Sequence, residues 1–389
     1  IDADQIDRVF HIFGGANVTF KNLTITGGQL NYSHGAGIYA DNSTLNLENV
    51  KIDNNVVQST GGGDRHGGGL YLYNATVTGS GVDITNNRAE RNGGANNDVG
   101  GGAWINGDST VTLTDVVITG NTARDGGGFY ISVGNFGGSS VNLTNATINN
   151  NTGVVRAGGF YNAAIDGRVT VTNGTISGNT AGFEHGGGFY NYAGSVTLSG
   201  VTISNNEAQD LDTGDGKRDD SVGGGFYNNT GTVMMTGGSI TGNTVYGSGG
   251  GFYNRVGTVT IVGTGTDAVE IDNNKAGAHD GLGDSRNGGG FYNHETGTVN
   301  LTHATFSGNN VRFATAGNSL SVTGVGAGFY NTGESTVNLS QVNISNHIAA
   351  EGGAFYQDGV KSQVIGTSVT LDNNTAITRG GAFANRSTG

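Results

Sequence analysis

Cysteine and proline are both absent from this chain of 389 residues. Without cysteine, the chain has no disulfides, no thiolate zinc site and no thiol nucleophile. The absence does not identify the compartment, because a chain that buries a continuous core of its own needs no disulfides. Also missing is any apolar run near the ~20 residues that cross a bilayer, so we expect no membrane span in this chain.

Basic residues are scarce as well: 18 Lys and Arg stand against 31 Asp and Glu, which gives a net charge of −13. Binding to nucleic acid needs stripes of basic side chains that face the phosphates, so we expect no nucleic-acid partner. Charged residues make up only 13% of the chain. Valine, isoleucine, phenylalanine and tyrosine recur at fixed spacings, which argues against disorder.

Glycine is abundant, and it marks a repeat. The sequence Gly-Gly-Gly-Phe-Tyr-Asn occurs at 186–191, 223–228, 249–254 and 288–293, with looser copies elsewhere. Self-similarity at a period of 26–39 residues predicts a solenoid, a single body in which each coil contacts only its neighbours. The position of the phenylalanine in this motif, the Phe slot, comprises Ile38, Leu70, Ala103, Phe129, Phe160, Phe189, Phe226, Phe252, Phe291, Phe329, Phe355 and Phe383.

Two further slots repeat from coil to coil. The Val slot comprises Val18, Leu45, Val77, Val111, Val141, Val169, Val196, Val233, Val259, Val299, Val337 and Val364. The Ile slot, usually seven residues later, comprises Ile25, Ile52, Ile84, Ile118, Ile148, Ile176, Ile203, Ile240, Ile271, Phe306, Ile344 and Leu371. Alternation around these slots, as in Val-Thr-Leu-Thr at 111–114, is the period-2 pattern of strands with one buried face, so we predict that the Val, Ile and Phe slots form the core.

We therefore predict an all-β fold, a right-handed parallel β-helix of about twelve coils in a single domain over residues 1–389. Right-handedness follows from the strong preference of parallel crossovers. Each coil is predicted to have three short strands: one at Val-x-Leu, one ending at the Ile slot and one at Gly-Phe-Tyr. At a strand spacing of ~4.8 Å, twelve coils would form a rod of roughly 50–55 Å.

An asparagine follows the Ile slot by three residues in most coils, and we predict that these side chains form a hydrogen-bonded ladder at one corner. The ladder comprises Asn55, Asn87, Asn121, Asn151, Asn179, Asn206, Asn243, Asn274, Asn309 and Asn374, with Gly28 and His347 as departures. A second row follows the tyrosines and comprises Asn162, Asn191, Asn228, Asn254, Asn293, Asn331 and Asn385.

Tyrosine usually follows the Phe slot, and alternation predicts that it faces outward if phenylalanine faces the core. The candidate binding residues in this stripe are Tyr130, Tyr161, Tyr190, Tyr227, Tyr253, Tyr292, Tyr330 and Tyr356. An exposed aromatic stripe would stack on sugar rings or pack against a partner chain. The alternative is that the tyrosines stack on one another and stiffen the coil.

Coil length varies mainly between the Asn ladder and the Phe slot, which places the insertions on one face of the solenoid. One insertion, 210–220, has oxygen ligands and glycines at the spacing that calcium loops use, although Lys217 and Arg218 weaken its negative field. Its candidate calcium ligands are Asp210, Asp212, Asp215, Asp219 and Asp220. The alternative is a loop without metal, and we expect no other cofactor.

The motifs resemble those of known surface proteins. Residues 176–179 (Ile-Ser-Gly-Asn) and 306–309 (Phe-Ser-Gly-Asn) resemble the Phe-x-x-Asn repeat of chlamydial polymorphic outer-membrane proteins. Residues 352–355 and 380–383, both Gly-Gly-Ala-Phe, resemble the companion Gly-Gly-Ala-Ile repeat. More broadly the chain resembles the passenger region of autotransporter adhesins. The resemblance implies an extracellular protein at the cell surface with an adhesive or structural role.

We therefore expect a structural or adhesive rod that is displayed on a cell surface or assembled into a filament, and not an enzyme. Its expected partners are surface glycans and other protomers or further coils of the same chain, because the repeat is running near both ends. The alternative function is a carbohydrate-binding or carbohydrate-degrading β-helix. A hydrolase of this kind would need two carboxylates ~5–9 Å apart. A lyase would need clustered aspartates with a basic Arg or Lys. Glu184 and His185, expected near Arg156, are candidates for a catalytic site of the hydrolase or lyase kind.

Overall fold

The computed structural model describes residues 1–59, 64–91, 98–133, 138–210, 221–277, 286–314, 320–322 and 324–386. These residues form β-strands and turns, and none of them lies in a helix. The chain divides into two units. The first comprises 1–181 and 192–197, and the second comprises 182–191 and 198–389. One strand, β20 (Ser195–Ser204), has its first residues in one unit and its last residues in the other.

The first unit has three parallel sheets, and its chain visits each sheet once per coil. The aromatic sheet contains β1 (Phe10–Ile12), β4 (Ile38–Asp41), β7 (Leu70–Tyr73), β10 (Ala103–Asn106), β13 (Phe129–Ile131) and β16 (Phe160–Asn162). The long sheet contains β2 (Asn17–Thr26), β5 (Thr44–Asp53), β8 (Thr76–Thr85), β11 (Thr110–Thr119), β14 (Ser140–Asn149) and β17 (Arg168–Ser177). The corner sheet contains β3 (Gln29–Asn31), β6 (Val56–Ser59), β9 (Arg88–Arg91), β12 (Thr122–Asp125), β15 (Thr152–Arg156) and β18 (Thr180–Ala181).

The second unit repeats this order. Its aromatic sheet contains β19 (Phe189–Asn191), β22 (Phe226–Asn228), β25 (Phe252–Asn254), β29 (Phe291–Asn293), β33 (Phe329–Asn331), β36 (Phe355–Gln357) and β39 (Phe383–Asn385). Its long sheet contains β23 (Thr232–Thr241), β26 (Thr258–Val262), β27 (Val269–Asp272), β30 (Thr298–Ser307), β34 (Thr336–Ser345) and β37 (Gln363–Asp372). The corner strands are β21 (Glu207–Ala208), β24 (Thr244–Val245), β28 (Lys275–Ala276), β35 (Ile348–Glu351) and β38 (Thr375–Arg379), and an antiparallel pair joins β31 (Arg312–Ala314) to β32 (Leu320–Val322).

The prediction of a parallel β-helix with three strands per coil is confirmed, but two of the strand positions are corrected. The strands predicted at Val-x-Leu and at the Ile slot are the two halves of one ten-residue strand, such as β5. The sixth residue of that strand has a left-handed backbone and bends it, as at Asn49 (φ 51°) and Asp115 (φ 52°). The third strand, such as β12, follows the ladder asparagine and was not predicted.

A second left-handed residue explains why Gly-Asn and Asn-Asn recur at the corner. The residue just before each ladder asparagine has positive φ, and it is glycine or asparagine, as with Gly242 (φ 65°) and Asn273 (φ 55°). Glycine adopts this conformation without steric cost, and asparagine tolerates it better than other residues. The first residue of the dipeptide therefore forms the turn, and its second residue belongs to the ladder.

The prediction that the Val, Ile and Phe slots form the core is confirmed for most coils. Phe160, Phe189, Phe252, Phe291 and Phe329 are all 0% exposed. The slot residues that are half-buried or exposed are Val18, Phe355, Val364, Leu371 and Phe383. Because neighbouring strands are parallel and in register, the phenylalanine rings of successive coils stack on one another. The ring centroids are 4.8 Å apart in the pair Phe252–Phe291.

The Asn ladder is confirmed as well, and it has a direction. Asn243 Nδ2 donates to Asn274 Oδ1 at 3.0 Å and to the Ile203 carbonyl oxygen at 3.0 Å. Its own Oδ1 accepts from the backbone and side-chain nitrogens of Asn206. Every hydrogen-bonding atom of the amide is thus satisfied in a fully buried position, as burial of a polar group requires. The second row is hydrogen-bonded in the same manner, for example from Asn254 Nδ2 to Asn293 Oδ1 at 2.9 Å.

Candidate functional site

The tyrosines that follow the Phe slot lie on the opposite side of the aromatic sheet from the phenylalanines, but the expected exposed stripe is wrong. Tyr161, Tyr190 and Tyr227 are each 5% exposed, Tyr253 is 9%, Tyr330 is 8% and Tyr356 is 3%. Only Tyr130 and Tyr292 of the eight candidates are half-buried.

The glycines before the Phe slot explain this burial. Gly249 has a φ of 77°, and a Cβ there would stand 2.5 Å from the Phe252 carbonyl oxygen and 3.1 Å from Tyr253 Cβ. Because only glycine fits this close approach, the chain before the Phe slot can lie near the outer side of the sheet, where Ser248 lines a groove together with Tyr253.

From Tyr227 to Tyr356 the tyrosine rings also stack on one another, as the alternative prediction proposed, whereas Tyr190 and Tyr227 meet edge to face at 90°. Centroids are 4.8 Å apart in Tyr253–Tyr292, with an angle of 5° between the rings, and 5.3 Å apart in Tyr330–Tyr356, with an angle of 8°. This spacing matches the ~4.8 Å between parallel strands and leaves no room for a sugar ring between two faces. The rings therefore present their edges and hydroxyl groups outward, and a ligand would meet hydrogen-bonding groups rather than stacking faces.

An open groove of about 660 Å³ lies on the outer side of this column in the second unit. Its aromatic floor is formed by Tyr227, Tyr253 and Tyr292. The other residues that line it are Glu184, His185, Val222, Ser248, Arg255, His294 and Glu295. The polar side chains come from the segments just before and just after the aromatic strands, where successive coils bring equivalent residues side by side.

An ion pair crosses two neighbouring coils at one side of the groove. Arg255 follows β25 directly, and Glu295 stands two residues after β29. Arg255 Nε donates to Glu295 Oε1 at 2.7 Å, and this hydrogen bond raises the pKa of Arg255. Both side chains remain partly exposed, at 46% and 37%, so water screens the pair and a ligand can reach it.

A tyrosine and a histidine form a second polar pair. Tyr253 Oη and His294 Nδ1 are 2.8 Å apart. Burial lowers the pKa of His294 and raises that of Tyr253, so both groups are uncharged at neutral pH. The pairing of a protonated phenol with a neutral imidazole suits a hydrogen bond from the hydroxyl to Nδ1, which places the imidazole proton on Nε2. His185 stacks on the neighbouring Tyr227 with ring centroids 4.8 Å apart.

Chemically, the groove offers phenol hydroxyls, imidazoles, a guanidinium and carboxylates along an aromatic floor. Such a set can donate to and accept from a ligand that carries many hydroxyl groups. Ring edges carry partial positive charge and attract oxygen atoms. The groove therefore suits a polar chain such as a saccharide better than an apolar ligand.

Other candidate residues are placed as follows. Of the candidate calcium ligands, Asp210 is described, whereas Asp212, Asp215, Asp219 and Asp220 lie outside the described residues, so calcium stays a prediction. No group of three or more acidic, histidine or cysteine side chains that could hold a metal occurs among the described residues. Glu184 and His185 lie in the second unit, while Arg156 in the first unit forms a bidentate pair with Asp125 at 3.1 Å.

Sequence reasoning identified Glu184, His185 and the tyrosines of this groove but missed Arg255, His294 and Glu295. These three occupy turns directly after the second asparagine row, where composition changes from coil to coil. The available signal was their charged and titratable character, since the residues that directly follow the second row in four other coils, Ala163, Tyr192, Asn229 and Thr332, are uncharged. That signal indicates a surface turn but does not indicate which turns meet across neighbouring coils.

The parallel sheets and the two hydrogen-bonded rows of asparagines identify the protein as a parallel β-helix. The family model described as "Right handed beta helix region" matches residues 8–206, so the chain belongs to this family. Comparison with curated proteins and with solved structures finds no match. Among the described residues, no helix has the length and apolar character to cross a membrane.

Proposed function

We propose that this protein is an extracellular adhesive β-helix of the cell surface that binds saccharide chains in the groove lined by Tyr227, Tyr253 and Tyr292. The main support for this proposal is that one groove brings together His185, His294 and the Arg255–Glu295 pair above that aromatic floor. The role follows the resemblance of the repeats to autotransporter passengers and polymorphic outer-membrane proteins.

The mode of binding is hydrogen bonding along the groove. The tyrosine faces are occupied by their neighbours in the column, so the sugar hydroxyls would meet ring edges, phenol hydroxyls and the Nε2 proton of His294. An open groove along successive coils suits a chain of sugars, because each coil adds one more set of turn residues. A rigid scaffold of stacked rings and amide ladders holds these groups in place before the ligand arrives.

The experiment is saccharide binding by glycan array, followed by calorimetry on the oligosaccharides that bind. We expect Arg255→Gln to weaken binding by about tenfold, since it removes a charged donor at the groove and releases Glu295. The matched control is Arg379→Gln, because Arg379 Nη2 pairs with Glu351 across neighbouring coils at 2.8 Å and does not line the groove. Equal losses in both variants, or no binding by the wild type, would contradict the proposal.

A second candidate is a saccharide-degrading enzyme that uses the same groove. The observation that favours it is the 2.8 Å contact between Tyr253 Oη and His294 Nδ1, a pair of groups that can pass a proton, in a groove that also contains the carboxyl group of Glu184. Incubation with a bound polysaccharide tests this candidate through the release of reducing ends. Binding without product favours adhesion. Product that disappears in both His294→Gln and Glu184→Gln favours the enzyme.

A further inference from the structure

Arg8 in the first unit is a half-buried cation with no carboxylate partner among the described residues. Its Nε donates to the Gly35 carbonyl oxygen at 3.0 Å, and its Nη2 donates to the His34 carbonyl oxygen at 2.7 Å and to Ser33 Oγ at 3.0 Å. A guanidinium has five N–H groups, so both hydrogens of Nη1 remain without a described partner. The nearby carboxyl group of Asp7 accepts from the Arg8 backbone nitrogen at 2.7 Å rather than from the guanidinium, and its charge acts to raise the pKa of Arg8 against the larger, lowering effect of burial.

An aromatic column holds this guanidinium in position. Arg8 Cζ lies 4.8 Å from the centroid of the Tyr39 ring. Tyr39 stacks on Tyr71 with centroids 4.6 Å apart, and Tyr71 stacks on Trp104 at 4.4 Å. A guanidinium fixed by three hydrogen bonds and a ring loses little further freedom when it binds an anion.

More donors without described acceptors lie beside Arg8. His34 stacks on Tyr71 with ring centroids 5.0 Å apart, and its Nδ1 accepts from the His66 backbone nitrogen at 3.1 Å. Burial lowers the pKa of His34, with Arg65 and Arg8 acting in the same direction, so the ring is neutral at pH 7 and carries its proton on Nε2. The hydroxyl groups of Tyr39 and Tyr71 likewise have no described hydrogen-bond partner.

We propose that Arg8, His34 and Tyr39 form a binding site for the carboxylate of an acidic saccharide. The carboxylate would accept from Nη1 of Arg8, and the sugar hydroxyls would bond to the His34 imidazole and the Tyr39 and Tyr71 hydroxyls. A cation that is held in place without a carboxylate is complementary to an anion. The adjacent neutral donors favour a sugar acid over a bare ion. The site lies in the first unit and goes beyond the proposed function, which concerns the groove of the second unit.

The first test compares two ligands that differ only in the carboxylate, methyl glucuronide and methyl glucoside, by NMR titration of the labelled full chain. We expect the glucuronide to shift the amide signals of Arg8, His34 and Gly35 and to bind at least about tenfold more tightly than the glucoside. Raising the salt concentration should weaken the binding of the glucuronide and leave the binding of the glucoside unchanged. Equal binding of the two sugars, or glucuronide shifts confined to the second unit, would overturn the proposal.

The second test uses variants. Arg8→Gln should lose about tenfold or more in glucuronide affinity, and Arg8→Lys should lose less because it keeps the charge. The control is Arg168→Gln, an exposed arginine of the same unit without a described ion pair, which should bind as the wild type does. Because Arg8 also holds the 33–35 turn, thermal melting is measured alongside, and Tyr39→Phe tests the site without removing that support.

The variants also separate this site from the groove. His294→Gln should weaken saccharide binding in the groove and leave glucuronide binding at Arg8 unchanged. Each of the two proposals can therefore fail without the other. Triglutamate serves as the peptide probe and should bind at least about tenfold more weakly than the glucuronide, because it lacks ring hydroxyls. Unchanged affinity in Arg8→Gln, or triglutamate binding as tightly as the glucuronide, would contradict the assignment.

Discussion

On the inner side of the aromatic sheet of the second unit, phenylalanine rings stack from coil to coil; on the outer side, tyrosine rings do the same. Phe226 and Phe252 lie 4.8 Å apart at an angle of 2°, while Tyr227 and Tyr253 lie 5.4 Å apart at 28°. The same backbone register sets both columns. The outer column is less regular, because the angle between neighbouring rings ranges from 5° in Tyr253–Tyr292 to 90° in Tyr190–Tyr227.

Neighbouring residues of one strand therefore have different roles: the phenylalanine stabilises the fold, and the tyrosine contributes to the groove. Phe252 is surrounded only by the core, so its contribution is burial of apolar surface. Tyr253 is nearly as buried, at 9% exposed, yet its hydroxyl reaches His294. A tyrosine whose ring is buried and whose hydroxyl group forms a hydrogen bond can position a neighbouring functional group. Loss of the inner ring should therefore affect folding, and loss of the outer hydroxyl should affect the groove.

The largest expected effect comes from emptying the inner column. Phe252→Ala should lower the free energy of unfolding by about 3–5 kcal/mol, because the surrounding rings cannot collapse into the space. Urea denaturation measures it. The matched control is Phe383→Ala in the same slot, where the side chain is 53% exposed and the loss should stay below about 1 kcal/mol. Equal losses would contradict the view that burial, rather than the slot itself, sets the contribution.

The next effect concerns the ladder behind the core. Asn243→Ala should cost about 3 kcal/mol, since it leaves the Asn206 donors and the Ile203 carbonyl oxygen buried without partners. Asn205→Gly is the control, because Asn205 is exposed and its φ of 53° suits glycine. A cost below about 1 kcal/mol for Asn243→Ala would mean that water or a rearranged turn replaces the lost amide.

The sequence predicted these parts of the molecule because each one repeats. A slot that recurs in many coils, such as that of Phe252 or Asn243, is evident from spacing alone. The outward tyrosines were predicted on the correct side of the sheet but with the wrong exposure, since strand alternation does not reveal how closely the chain at Gly249 approaches Tyr253. Residues that occur once, such as Arg8 and Arg255, become meaningful only when the coils place them beside particular neighbours.

A smaller effect, and one that depends on pH, is expected at the position where histidine replaces a ladder asparagine. His347 Nε2 faces Asn309 Nδ2 at 3.2 Å, and its Nδ1 faces Asn374 Oδ1 at 3.0 Å. The ladder direction requires Nε2 to accept and Nδ1 to donate, so the ring must be neutral. Burial lowers the pKa of His347 from 6.5 to about 4, while its hydrogen bond to Asn374 acts in the opposite direction.

The sign of the effect follows from the two pKa values. Between about pH 6.5 and pH 4 the unfolded chain binds a proton that the folded chain does not, so stability falls as the pH falls through this window. His347→Asn should remove this contribution and be more stable than the wild type near pH 4.5, on the order of 2 kcal/mol, with little difference at pH 8. Thermal melting at both pH values measures it. An equal gain at both would indicate better packing rather than a removed titration.

The smallest effect on stability, and the most specific for the outer column, is expected from Tyr253→Phe. The variant keeps the stacked ring and removes only the hydroxyl, so the free energy of unfolding should change by less than about 1 kcal/mol. The hydroxyl bonds the neutral form of His294, so its removal should raise the pKa of His294 towards the ordinary value, against the burial that lowers it. NMR titration of the His294 ring measures this shift. Tyr330→Phe is the control, because Tyr330 belongs to the same column and its hydroxyl faces Asp358 at 3.5 Å instead. A His294 pKa that moves equally in both variants, or in neither, would show that the hydroxyl of Tyr253 does not position the histidine, and that the outer column acts on the groove only through its shape.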